Sequence, residues 1–172
     1  MLSLGSGTAA EEADRLYELA DRKLGQAYAL APERSDILSN RSTAMLWRAT
    51  LHTGEKQREL LRNVVQICEQ QASEGKGGAQ GLVTWGTALG YLAVAAGKPE
   101  AEGLYEQAEA RFSRALYLDP ENLPAQAGLV RTLGRRALLK RGDEYITLIT
   151  RACEECERFS RSAPDCGELL NQ

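Results

Sequence analysis

The chain has 172 residues, 43% hydrophobic and 26% charged, enough for about one domain with a core of its own. A formal net charge of -3 and a pI near 5.4 supply no chain-wide basic field of the kind that holds nucleic acid, and no apolar run reaches the roughly 20 residues of a membrane span, so neither partner is expected. Only 6% of residues are aromatic and 5 are proline, while Ala, Leu, Glu and Arg abound, which argues against a strand-built architecture and predicts an all-α protein.

In chain order, the opening "MLSLGSGTAAEE" has neither the basic start nor the apolar centre of a secretion signal. Four cysteines, Cys68, Cys153, Cys156 and Cys166, are too few for a disulfide scaffold at this length, so a reducing, cytoplasmic setting is expected. Thr8 with Glu11 has capping-box spacing and opens a predicted helix over 9–30, which Pro32 ends. Ser35 or Asp36 can cap a second helix over 36–52. A third, over 55–73, starts after Gly54, and "SEGKGGAQG" (73–81) reads as a flexible loop. The fourth covers 80–96, and the fifth covers 99–118 with Pro99 suited to its first turn. A sixth over 123–141 should end at Gly142, and a seventh over 143–162 leaves a short tail, 164–172.

These elements repeat. In "AEARFSRALYLDP" (108–120), Ala108, Phe112, Ala115 and Pro120 match Ala20, Leu24, Ala27 and Pro32 two periods of 44 residues earlier, and Ala152, Cys156, Phe159 and Pro164 one period later. The remaining copy, Val64, Cys68, Gln71 and Lys76, is degenerate but in register, and four residues ahead of each copy stand Leu16, Leu60, Leu104 and Leu148. The intervening segments align as well, stacking Met45, Leu89 and Leu133, then Leu46, Gly90 and Gly134, then Ala49, Ala93 and Ala137. Large and small residues on neighbouring helical rows predict close helix packing, with Gly90 and Gly134 allowing the approach. Each unit is therefore a helical hairpin, and the chain reads as one domain, 1–172, made of a half repeat followed by three hairpins.

The run Leu89-Gly90, Ala108, Phe112, Ala115 and Pro120 resembles the tetratricopeptide signature of L-G, A-x3-F and P, although the period here is 44 residues rather than 34. The resemblance implies a right-handed solenoid of antiparallel helical hairpins, about seven helices in all, with lengthened repeats. It also implies that first helices line a concave groove. Carried over by alignment, the groove positions are Asn40, Thr43, Trp47 and Thr50, then Thr84, Thr87, Tyr91 and Val94, then Arg131, Arg135 and Leu138. Arg131 and Arg135 stand one turn apart, where two guanidinium forks suit a carboxylate, and Trp47 and Tyr91 are residue types enriched at binding hot spots. The expected partner is a protein or peptide with acidic groups. The bland alternative is that Trp47 is packing and that "RTLGRRALLKR" is a solvated helix end with a favourable dipole. "SNRS" (39–42) is similar to a segment of the chaperone-binding members, but the lysine and arginine of their third repeat are replaced here by "GLVTWGTALG", so their carboxylate clamp is not expected.

Chemistry finds few carriers. Cys153 and Cys156 lie three apart on one helical face and with Cys166 form a weak metal candidate, but Cys156 and Cys68 share the phenylalanine position of the repeat, where a small buried hydrophobe packs. The single histidine, His52, sits at a helix end, where a cation suits the dipole, and no nucleophile elbow or phosphate loop is present. The expectation is a non-catalytic adaptor or scaffold without a cofactor. The alternative is a structural subunit of a larger complex or homo-oligomer.

Overall fold

A computed structural model of the chain describes residues 4–162. Among the described residues there are seven α-helices and no strand: α1 (Leu4–Leu30), α2 (Ser35–Thr50), α3 (Gly54–Ser73), α4 (Gly78–Ala95), α5 (Lys98–Leu118), α6 (Leu123–Ala137) and α7 (Gly142–Ser162). Pro164 and the expected tail lie outside them.

Helix boundaries follow local chemistry. Asn122 caps α6 by accepting the backbone N–H of Ala125 at 3.0 Å, and prolines occupy the first turns of α5 and α6, where no intrahelical donor is lost. Gly54 and Gly142 open α3 and α7 with φ of +64° and +60°, a backbone region that costs a residue with a Cβ. The starts of α3, α5 and α7 thus recur every 44 residues, at Gly54, Lys98 and Gly142.

Several expected boundaries move. α1 begins at Leu4, so Thr8 lies inside a helix, where continuing backbone bonds replace a cap. α2 starts at Ser35 with Arg34 before it, and Asp36 holds the Arg34 guanidinium at 2.6 Å instead of capping the helix. α4 begins at Gly78 because the Gly81 N–H already bonds the Gly77 carbonyl at 2.8 Å, so half of the expected glycine loop is helical. The shortened loop is anchored by Lys76, whose ammonium donates to the Pro32 carbonyl at 3.0 Å and pairs with Glu74 at 2.8 Å. α6 stops at Ala137, four residues early, where Lys140 turns away to pair with Glu102 and Glu144.

Each helix packs against its sequence neighbours. In addition, α2 approaches α4 and α4 approaches α6, whereas among the described residues the backbones of α1, α3, α5 and α7 approach no helix beyond the adjacent ones. The core follows this arrangement as a main cluster from Leu38 to Ala152, with a smaller one of Ala93, Ala101 and Tyr105. Met45, Leu89 and Leu133 are buried, as are Ala49, Ala93 and Ala137. The alanine row admits close packing between helices because it adds so little bulk.

Two stacking expectations fail for a common reason. Leu16 is 57% exposed although Leu60 and Leu148 of the same row are buried, and Cys156 is exposed although Cys68 and Phe112 are buried. Among the described residues α1 and α7 each have only one packed neighbouring helix, so row positions turned away from it lack the cover that Leu60, Cys68 and Phe112 have. A third expectation shifts along the chain. A Cβ on Gly90 or Gly134 would meet nothing within 4 Å, whereas one on Gly86 would come 2.9 Å from the Phe112 ring and one on Gly128 would come 2.3 Å from it. The small residues that permit close approach are therefore Gly86 and Gly128, and what they admit is the Phe112 side chain.

Candidate functional site

The site is built where α4 and α6 lie side by side over α5. The α6 sequence LPAQAGLVRTLGRRA places Ala125, Leu129, Thr132, Leu133 and Ala137 inward, and a helical period of 3.6 then turns Arg131 and Arg135 outward. On α4 the same logic buries Thr84, Ala88 and Leu92 and leaves Tyr91 and Val94 at the surface. Thr87, Tyr91, Arg131 and Arg135 line one cleft of about 80 Å³, with Gly86, Gly90 and the Phe112 ring contributing to its walls. Thr132 also borders the cleft, its hydroxyl donating to the Gly128 carbonyl at 2.7 Å.

The two guanidiniums differ from those around them. Arg136, the next residue after Arg135, turns to α5 and pairs with Glu106 and with Glu109, the latter at 2.9 Å. Glu109 is engaged a second time by Arg151 of α7 at 2.7 Å. Arg111 stacks on the buried Trp85 ring, 3.7 Å from its centroid. Among the described residues no carboxylate pairs with Arg131 or Arg135.

The remaining expected groove positions are distributed as follows. Trp47 is 54% exposed on α2, one repeat before Tyr91, and Thr43 is half-buried one repeat before Thr87. Asn40 is exposed on the first turns of the same helix, and none of the three lines the cleft between α4 and α6. Thr84 is buried, and its hydroxyl donates to the Gln80 carbonyl at 3.1 Å. That removes it from any accessible lining, because the close packing of α4 covers its row. Thr50, Val94 and Leu138 form a third exposed row beside the Trp47, Tyr91 and Arg135 row.

Several lining residues escaped the sequence reading, among them Gly86, Thr132 and, from α5, Phe112 and Tyr105. Tyr105 borders both the cleft and an adjoining recess of about 240 Å³. Its row reads Tyr17, Leu61, Tyr105 and Ile149, which does not single it out.

The cysteines and the histidine do not join this site. Cys68 is buried, which pushes its thiol pKa up to about 12 and makes it a packing residue rather than a nucleophile. Cys153 and Cys156 are exposed on α7, Cys166 lies outside the described residues, and among the described residues no three His, Cys, Asp or Glu side chains gather as a metal site. His52 follows α2 instead of ending it, and its Nε2 lies 2.7 Å from an oxygen of Asp14, so a carboxylate partner takes the place of the expected helix dipole. Among the described residues no helix is long and apolar enough to cross a membrane. No protein-family model matches the chain, and no curated protein matches it in sequence.

Proposed function

We propose that the chain is a tetratricopeptide-like, right-handed solenoid that acts without catalysis as an adaptor, capturing a peptide segment of a partner protein on the face shared by α2, α4 and α6. The curvature argument is geometric. Helices that approach one another across repeats lie on the short side of a bend, and helices that do not lie on the long side. The α2, α4 and α6 row is then the hollow side, where an elongated ligand buries most surface. The single observation that carries the reading is the cleft in which Thr87, Tyr91 and two carboxylate-free arginines meet. A cytoplasmic setting is part of the same proposal, since the thiols require a reducing compartment to remain free.

The test is a titration. A protein retained by the intact chain should bind R131E/R135E about tenfold or more weakly, the scale of losing charge-assisted hydrogen bonds. Both residues are exposed, so the melting temperature should be unchanged. Equal affinity for the two forms would remove the groove from the function.

A second reading, a structural subunit or homo-oligomer, is favoured by one specific observation. Leu16 stands bare at a position whose equivalents Leu60 and Leu148 are buried by a neighbouring helix. Light scattering separates the two: a concentration-dependent rise in mass that L16E abolishes supports the subunit reading, and a constant monomer mass supports the adaptor.

A further inference from the structure

The cleft does not end at Arg135. The recess beside it shares Val94, Tyr105 and Arg135 with the cleft and continues toward the chain reversal after α6, where Leu138 is 74% exposed and Val94 is 54% exposed. Its other walls are mostly apolar, including Ala93, Ala101 and Leu139. The two compartments together therefore present a cationic half and an aliphatic half joined at one arginine.

Charge is distributed just as unevenly. Arg131, Arg135 and Lys98 border the two compartments and among the described residues no Asp or Glu does, although the chain as a whole carries a net charge of -3. Arg136 of α6 and Arg151 of α7 are matched by carboxylates, Glu109 among them, and Arg111 and Arg114 of α5 lie over aromatic rings. A surface that sets two guanidiniums without a carboxylate beside exposed aliphatic side chains is complementary to a ligand that brings the carboxylate and the apolar group itself.

Helix geometry sets the spacing. Leu138 lies three residues past Arg135 and seven past Arg131, so it stands about 7 Å along the α6 axis from the midpoint of the two arginines. An extended chain covers about 7 Å in two residues and returns side chains to the same face at that interval. Resting on the peptide-binding reading above, we infer that the groove selects an extended peptide in which an acidic side chain and a bulky aliphatic or aromatic side chain stand two positions apart. The acid bridges Arg131 and Arg135, and the apolar group enters the recess against Val94 and Leu138.

A random peptide library displayed on phage and selected against the intact chain tests this. Selected sequences should share an acid-x-apolar consensus, and synthetic peptides carrying it should bind R131E/R135E about tenfold or more weakly. L138D, at an exposed position, should weaken them by about tenfold while the melting temperature holds, and should erase the apolar half of the consensus on reselection. A consensus lacking the acid or the apolar residue, whose binding R131E/R135E still abolishes, overturns the bipartite ligand and leaves the groove reading standing. No enrichment, or binders indifferent to both variants, overturns both.

Discussion

Phe112 shows how one residue organises the middle of the molecule. Its ring is buried between Gly86 of α4 and Gly128 of α6, so a single side chain of α5 sets how closely the two groove helices sit. The ring is packed against both glycines, and a Cβ at Gly128 would lie 2.3 Å from it. G128A should therefore lower stability by about 2 kcal/mol through overpacking. Gly134 faces open space on the same helix, and G134A should gain about 0.5–1 kcal/mol from reduced backbone freedom in the unfolded chain. Urea denaturation of the two variants measures both signs at once. A G128A midpoint equal to that of the unaltered chain would mean that the ring is not confined as described.

At the scale of an element, α1 is held differently from every helix between α2 and α6. None of residues 9–30 is buried, and several ion pairs join α1 to α2 and the turn after it. Asp14 accepts from Arg48 Nε at 2.7 Å and lies 2.7 Å from His52 Nε2, Arg48 reaches Glu18 at 2.9 Å, and Arg41 reaches Asp21 at 2.7 Å. The Arg48 hydrogen bond, helped by His52 and opposed by partial burial, lowers the Asp14 pKa from 3.8 to about 2. A depressed carboxylate pKa means that folding favours the ionised form, so this stabilisation is complete above about pH 4 and is lost as the pH falls toward 2. D14N should cost about 1–2 kcal/mol near neutrality and flatten the decline in stability across that acid window. Urea midpoints of the two forms across the same pH range check this, and an unchanged acid slope in D14N would assign the decline to other carboxylates.

For the whole molecule, packing between sequence neighbours makes stability uneven along the chain. Among the described residues each helix from α2 to α6 is covered on both sides, while α1 and α7 have one neighbour each. Opening an end helix exposes one interface, and opening a middle helix exposes at least two, as in a one-dimensional array. Amide hydrogen exchange should therefore be slower in α2 to α6 than in α1 and α7. A uniform exchange rate across all seven helices would indicate a single cooperative unit instead.

The 44-residue spacing of apolar and small residues determined the number and type of helices, because a helical face buried against a neighbour must repeat whenever its neighbour repeats. The inward rows of Met45, Leu89 and Leu133 and of Ala49, Ala93 and Ala137 were legible for that reason. So was the outward turn of Tyr91, Arg131 and Arg135, which follows from helical period alone. Periodicity is blind, however, to which row positions a neighbouring helix covers, and only the tertiary structure showed Leu16 and Cys156 exposed. It is equally blind to which glycine meets a ring, to the burial of Thr84, and to Tyr105 reaching the cleft from a neighbouring helix. Those depend on how far apart two helix axes settle, a distance set by the side chains caught between them rather than by the pattern along either one.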